Sequence, residues 1–454
     1  MGALLFFCFS GLASDFKLPE IERTILDNGL KLVLISKHQI PLVEGQLVVK
    51  SGALVDPKGK EGLANITARM LSRGAAGRTA DEIAEAVDDM GAQLSVSSDW
   101  ETSRINFLVL KDRLPEILRL CADLALHPSL EQDSLEEEKD RISDEIAELA
   151  DDNWRLADRW FYRVFYEGTR LAVPEAGKFR SIADISPEDV HAFYDRYYHP
   201  GNALLMLGGD LDSECLGLVK EIFGSWKTAE PPLKRAPLKF KKLSGKTLWM
   251  VDKPDLSQSH IRIGRIGISW DHPDYFAAQV LNTYFGGGLS CVLMEELRRK
   301  RGLTYGVSSQ FDFGVQPGPF FIWTFTANEK TAELIRLTLE LMENVSHGGI
   351  SDDEIEAAKK YRLGNFANLI QAPEYLFEQI IRYELSRQPA EMIEKYAQNI
   401  QAVTVQQVRE AARKYIDPDN IMIVVLGKRA EVADQLEKLI DNIRYADYKD
   451  ILED

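Results

Sequence analysis

The amino-acid sequence predicts an α+β protein made of two duplicated domains, each an antiparallel sheet covered by helices on one face. Three observations support this prediction: a repeat at a fixed offset, strand patterns in hairpin-like succession, and longer helical patterns that follow them. With 454 residues, 45% of them hydrophobic, the chain is long enough to bury more than one core. We therefore expect paired domains of similar construction.

The internal repeat relates the two halves of the chain by 218 positions. A segment from Ile185 to an apolar strand ending at Gly209 returns between Val403 and Gly427. The matched residues are Val190 and Val408, Tyr197 and Tyr415, Pro200 and Pro418, Asn202 and Asn420, and Gly209 and Gly427. The same shift superimposes the helical patterns at 112–126 and 330–342. Two copies indicate paired domains rather than a solenoid.

Each half contains strand and helix patterns in the same coarse order. The first half has strand patterns at 30–35, 46–50 and 105–110 and helical periodicity at 80–90 and 114–126, and the second has strands at 261–264 and 320–325 and a helix at 275–284. Residues 227–245 are rich in Pro and Lys, which favours a solvated linker over a patch for an anionic surface. The predicted domains are therefore 16–226 and 246–454.

Composition and charge exclude several classes of protein. The net charge of −17 argues against a nucleic-acid partner, because phosphate binding requires clustered Lys and Arg. No internal apolar run approaches the roughly 20 residues of a membrane helix. The cysteines, Cys8, Cys121, Cys215 and Cys291, lack the spacing of metal ligands.

Residues 1–14 form an apolar leader that is too short to span a bilayer and ends in small residues. This pattern predicts an export signal and a periplasmic location, although no Lys or Arg precedes Lys17. A cytoplasmic protein with an apolar tail is the alternative.

A degenerate metal motif follows Gly62. A zinc peptidase with the inverted motif His-x-x-Glu-His would have its two imidazoles at Asn65 and Arg69 and its general base at Ala68. A third, carboxylate ligand would correspond to Glu145, in a charged helical run. Because Arg69 brings a fixed positive charge to the place of a dication, we expect no metal in this chain. We predict instead that Arg69 and Glu145 form an ion pair, although a Glu in a charged helix is more commonly solvated.

Several further segments identify a family together with that frame. They are Asn28-Gly29-Leu30-Lys31-Leu32, Lys50-Ser51-Gly52-Ala53, Met90-Gly91-Ala92, Phe285-Gly286-Gly287-Gly288-Leu289-Ser290, and the run from Glu296 to Ser309 that includes Gly302-Leu303-Thr304-Tyr305-Gly306-Val307. Over nearly its whole length the chain resembles the M16 peptidases, the group of pitrilysin and the mitochondrial processing peptidase. The resemblance implies duplicated αβ-roll domains that enclose a chamber.

In small bacterial members of that family, one subunit carries His-x-x-Glu-His and the other an Arg and a Tyr seven residues apart. Arg298 and Tyr305 have that spacing here. The resemblance therefore implies a noncatalytic subunit, inactive alone, that contacts the carbonyl or oxyanion of a peptide substrate while a homologous partner supplies zinc. The alternative is a structural homologue with no proteolytic role.

The glycine run Gly286-Gly287-Gly288 has two readings. It lacks the Gly-Lys-Ser/Thr ending of a phosphate-binding loop, so we interpret it as a turn that permits close backbone approach. A Gly-rich loop contacts substrate in the processing peptidase, and by that resemblance we expect these glycines near the substrate.

Overall fold

The computed structural model describes residues 18–229, 238–241, 243–389 and 392–452. The strands of the first half are β1 Ile21–Ile25, β2 Lys31–Ser36, β3 Leu42–Val49, β4 Gly74–Ala75, β5 Arg78–Thr79, β6 Gln93–Ser98, β7 Ser103–Leu110 and β8 Ala203–Gly209. Those of the second half are β9 Lys246–Asp252, β10 Gln258–Ile266, β11 Val307–Phe311, β12 Pro319–Ala327, β13 Ile421–Gly427 and β14 Ile443–Asp447.

The helices also fall into two sets. The first half contains α1 Leu63–Met70, α2 Ala80–Asp89, α3 Leu114–Leu126, α4 Gln132–Glu148, α5 Asn153–Phe165, α6 Phe179–Ala183, α7 Pro187–Tyr197 and α8 Cys215–Phe223. The second contains α9 Tyr275–Phe285, α10 Thr331–Ser346, α11 Asp352–Leu369, α12 Pro373–Ser386, α13 Tyr396–Ala402, α14 Val405–Tyr415 and α15 Arg429–Glu437. A π-helix, Met294–Arg299, precedes β11.

Each half is built on a six-stranded sheet, and the two sheets share one strand order. The first sheet runs β1-β2-β8-β3-β7-β6 and the second β14-β9-β13-β10-β12-β11. The duplicated α+β architecture is thus confirmed. The prediction of antiparallel sheets needs one correction, because β2 pairs with β8, and β9 with β13 and β14, in parallel. Strands β3 to β7 and helices α1 to α7 lie between β2 and β8, so the chain is long enough to return and pair with β2 in parallel.

The predicted offset is visible in the bounds of matching elements. Helix α7 and strand β8 recur as α14 and β13, displaced by 218 residues at both ends. Both helices begin at a hydroxyl side chain, Ser186 or Thr404, that accepts a hydrogen bond from the backbone N–H three residues later. Such capping boxes fix where a helix starts, so equal spacing in the sequence becomes equal spacing in the fold.

The second correction concerns the helices, which do not cover only one face of each sheet. Helix α5 of the first half packs on the second sheet, where Trp160 and Phe161 are buried with Phe321 and Val424. Helix α12 of the second half packs on the first sheet, where Phe377 shares a core with Met206. Each sheet therefore has buried apolar side chains on both faces, and the two halves exchange one helix.

A glycine in a strand admits an aromatic side chain from one of the exchanged helices. On β10, a Cβ atom at Gly264 would lie 2.5 Å from Cζ of Phe161. Contacts this short do not occur between side chains, so the absence of a Cβ at Gly264 lets α5 lie close to the sheet.

The chain between the halves has no helix or strand among its described residues, from the end of α8 at Phe223 to the start of β9 at Lys246. The predicted linker, 227–245, falls within this interval, and part of it, like the predicted leader 1–14, lies outside the described residues. Within the residues described, none of the helices is both long and apolar enough to cross a membrane.

Candidate functional site

The degenerate motif lies on α1, which is buried along almost its whole length. Asp56 holds the start of this helix: its carboxylate oxygens accept hydrogen bonds from the N–H groups of Gly62, at 2.8 Å, and Ala64, at 2.9 Å. Arg170 bonds the same carboxylate at 2.8 Å. The first turn of α1 is therefore fixed in place by an ion-paired acid.

Arg69 and Glu145 form the predicted ion pair. Nη1 and Nη2 of Arg69 donate to Oε1 and Oε2 of Glu145 at 2.7 and 2.6 Å, which joins α1 to α4. This bidentate hydrogen bonding raises the pKa of Arg69 and lowers that of Glu145. The two side chains remain 26% and 47% exposed, so solvent reaches one edge of the pair.

A second carboxylate lies beneath this pair and was missed by sequence reasoning. The Glu138 side chain is only 1% exposed and lies 3.8 Å from Nη1 of Arg69 and 3.8 Å from Nε of Arg141. Arg73 forms a close ion pair with it. Glu138 and Glu145 are seven residues apart, on one face of α4, and this spacing is the signal that could have indicated a shared site. Three guanidinium groups thus surround two carboxylates.

These residues do not fit a zinc ion. Asn65 offers only a neutral amide oxygen, which has no hydrogen-bond partner among the described residues, and Ala68 has no side-chain donor. The carboxylate of Glu145 is already bound by the guanidinium of Arg69. Across the described part of the chain, no group of three or more His, Cys, Asp or Glu residues is arranged to hold a metal ion.

The predicted substrate-contact residues lie in the second half, away from this ion cluster in sequence. Arg298 is in the last turn of the π-helix and exposed, and Tyr305 is in the loop before β11 with 80% of its surface exposed. Neither side chain has a hydrogen bond, ion pair or ring contact among the residues that the structure describes. Both donors are therefore open to another molecule. The π-helix, which sequence patterns did not reveal, is a geometry that occurs often at functional sites.

The backbone of the glycine run lies in close contact with other residues of the same chain. The carbonyl of Gly286 accepts hydrogen bonds from Oγ of Ser308 at 2.8 Å and N of Ser309 at 3.2 Å. A Cβ atom at Gly286 would lie 2.3 Å from Oγ of Ser309. Gly287 is similarly close to Asn282, and Gly288 lines a cavity of about 910 Å³. The turn is present, while contact of these glycines with a substrate stays a prediction.

Fold and site together describe a duplicated α+β protein in which an ion cluster stands at a peptidase-like metal motif. Two family models match the chain: Insulinase (Peptidase family M16) over residues 31–175 and Peptidase M16 inactive domain over residues 184–361. The chain belongs to the M16 peptidase family.

Relatives and solved structures agree with this assignment. An uncharacterized zinc protease of Mycobacterium leprae is 28% identical over 405 residues, 87% of this chain and 89% of the relative. A peptidase M16 inactive domain from Pseudomonas fluorescens is 25% identical, with a TM-score of 0.82 over 90% of this chain and 98% of that one. A protease from Helicobacter pylori shares the fold, with 21% identity and a TM-score of 0.79 over 90% of this chain and 100% of that one.

Proposed function

We propose that this chain is the zinc-less, substrate-binding subunit of a two-chain M16 metallopeptidase that cleaves peptides or unfolded polypeptides. The observation that carries the proposal is the guanidinium of Arg69, bound to Glu145 at 2.7 and 2.6 Å at the position of a zinc ligand. A chain with this ion pair needs zinc from a homologous partner that carries His-x-x-Glu-His. By itself the chain is inactive.

The free donors of the second half support a role in substrate binding. A peptide carbonyl gains negative charge when its carbon is attacked, and hydrogen-bond donors placed at that oxygen stabilise the transition state. The guanidinium of Arg298 and the phenol of Tyr305 are donors of this kind. Neither group is hydrogen-bonded to another residue in the described part of the chain. In a complex they would bind the substrate next to the partner's metal.

The test mixes this chain with a candidate His-x-x-Glu-His partner and measures cleavage of an unstructured, fluorescence-quenched peptide. We expect each chain alone to be inactive and the complex to be active. Arg298→Ala should lower kcat/KM by about 10²-fold, the usual effect of losing one transition-state donor, and Tyr305→Phe by about 10-fold or more. Arg299→Ala is the matched control, because Arg299 is an exposed neighbour already paired with Glu295.

Three results would contradict the proposal. Stoichiometric zinc in the isolated chain, measured by atomic absorption, would show that the metal site is not lost. Full activity of the complex after Arg298→Ala, or no complex at all, would favour the alternative of a structural homologue.

The proposal includes export to the periplasm. Its support is the apolar composition of residues 1–14 and the small residues Ala13 and Ser14 that end them. Cell fractionation and N-terminal sequencing of the mature protein provide the test: an intact Met1 in the cytoplasm would exclude export.

A further inference from the structure

A cavity of about 570 Å³ lies between the two halves of the molecule. Its walls are rich in aromatic rings, Trp100, Tyr162 and Tyr166 from the first half and Trp270 and Phe313 from the second. Cavities of this size and composition commonly bind small organic ligands or large side chains. The zinc-like motif on α1 and the Arg298–Tyr305 segment do not contribute to it.

Several charged groups in the cavity wall already have partners. Arg104 bonds Asp99 at 2.8 Å and also pairs with Glu378. Glu101 accepts a hydrogen bond of 2.9 Å from the backbone N–H of Val315, which ties the two halves together. Asp312 accepts one of 2.9 Å from the hydroxyl of Tyr162. These groups need no ligand to satisfy them.

Arg382, on α12, is a buried cation of the wall whose side-chain hydrogen-bond partners are neutral. It is 8% exposed, and its guanidinium donates to the hydroxyls of Tyr275 and, at 2.8 Å, Tyr383. Their rings lie 4.9 and 4.8 Å from its central carbon. Neutral phenols orient a guanidinium without cancelling its charge. Among the described residues, no carboxylate lies within ion-pair distance of Arg382.

A buried cation without an anion is unfavourable, because the lost hydration of the charge is not replaced. A guanidinium has five N–H donors, so two hydroxyl partners leave others available. Arg382 lies in the wall of an aromatic cavity, where its remaining donors suit a ligand that is anionic at one end and apolar over its body.

We propose that this cavity binds an apolar carboxylate, such as an aromatic carboxylic acid or the free C-terminus of a peptide that ends in an aromatic residue. The carboxylate forms an ion pair with Arg382, and the apolar body packs between Trp100, Trp270 and Phe313. The proposal concerns the isolated chain and does not depend on a zinc-bearing partner. A negative result for the proposed peptidase role would therefore leave this site unaffected, and a negative result for this site would leave the peptidase role unaffected.

The first experiment compares N-acetyl-phenylalanine with its neutral isostere, N-acetyl-phenylalaninamide, by calorimetry and by the fluorescence of the two wall tryptophans. We expect the carboxylate to bind the full chain at least about 10-fold more tightly than the amide, as a charge-assisted hydrogen bond predicts. Arg382→Met should remove this preference. Arg336→Met, at an exposed arginine paired with Glu340, is the matched control and should leave binding unchanged.

A second variant guards against misfolding, since Arg382 also holds two tyrosine hydroxyls. Trp270→Ala leaves those bonds intact and should weaken acid and amide alike by about 10-fold, through loss of an aromatic wall. A peptide with a free C-terminal Phe, compared with its amidated form, distinguishes the two sources of the carboxylate. Tighter binding of the free peptide than of the single amino acid assigns the site to peptide ends, and weaker binding assigns it to small acids.

Three outcomes would overturn the proposal. They are equal affinity for acid and amide, an unchanged affinity of the folded Arg382→Met variant, and displacement of the acid by sulfate at similar concentration, which would indicate a site for inorganic anions only.

Discussion

At the scale of single residues, the members of the ion cluster between α1 and α4 contribute unequally to the stability of the fold. Glu145 is half-exposed, so its pair with Arg69 resembles a surface salt bridge, whereas Glu138 is buried and depends on its arginines. Removing a cation from a buried acid costs more than removing an exposed acid from a cation. Arg69 therefore matters to stability chiefly through the buried acid beneath it.

We predict that Arg69→Met lowers the free energy of unfolding by about 1–3 kcal/mol, because it leaves Glu138 with fewer cations. Glu145→Gln should lower it by only about 0.5–1 kcal/mol, since both partners are accessible to solvent. Urea unfolding at pH 7 measures both changes. If Glu145→Gln were the more costly change, the surface pair rather than the buried acid would carry the stabilisation.

Another residue-scale prediction concerns Glu44, on β3. Burial, together with the negative charge of Glu374 on α12, raises the pKa of Glu44 from 4.5 to about 7. A raised carboxyl pKa means that the folded state binds the proton more tightly than the unfolded chain. Its stabilising contribution is therefore complete below pH 4.5 and is lost as the pH rises through 7.

Glu44→Gln should abolish this pH dependence. Between pH 5 and pH 8 we expect the native protein to lose about 1–2 kcal/mol of stability relative to the variant, from the size of the pKa shift after allowance for partial exposure. Urea midpoints measured across this range provide the comparison. Parallel pH profiles for the two proteins would show that Glu44 titrates normally in the fold.

At the scale of elements, the close contact between α5 and β10 yields a prediction. Gly264→Ala would place a Cβ atom 2.5 Å from the ring of Phe161, so α5 or the strand must shift. We expect a cost of about 1–3 kcal/mol, as for overpacking elsewhere. Gly217→Ala is the matched control. It lies on the exposed side of α8 with no atom within 4 Å of the new Cβ, and should gain about 0.5 kcal/mol. Similar effects of the two variants would mean that α5 adjusts freely.

Much of the element order was predictable, because periodic patterns and capping residues are local. The helix predicted at 114–126 is α3, and the 218-residue offset between Val190 and Val408 appears unchanged in α7 and α14. The exchange of α5 and α12 was not predictable from the hydrophobic pattern of the sequence, since an amphipathic helix does not specify which apolar surface it covers. At the site, the Arg69–Glu145 pair followed from motif spacing. The burial of Glu138 did not, because an acid in a charged helix normally faces solvent.

At the scale of the whole molecule, the exchanged helices join the two halves into one folding unit. The core that includes Trp160 and Phe161 of the first half is completed by Phe321 and Val424 of the second. Neither half can bury all of its apolar surface without the other. The repeat in the sequence therefore records two copies of a structure that are no longer independent domains.

We predict a single cooperative unfolding transition for the full chain. Tryptophan fluorescence and far-ultraviolet circular dichroism should give the same urea midpoint, because loss of either half exposes the core of the other. Residues 18–226 expressed alone should remain unfolded or aggregate. Two separated transitions, or a folded isolated half, would show that the exchanged helices contribute little.

The crossing of α5 and α12 also limits how the molecule can move. Two domains joined by a single flexible linker could open and close on a substrate by a hinge motion. Here, each half packs one helix on the sheet of the other. Separating the two halves would expose Phe161 and Phe377 to water. Under the proposed function, a polypeptide would therefore reach Arg298 and Tyr305 without a hinge opening between the two halves.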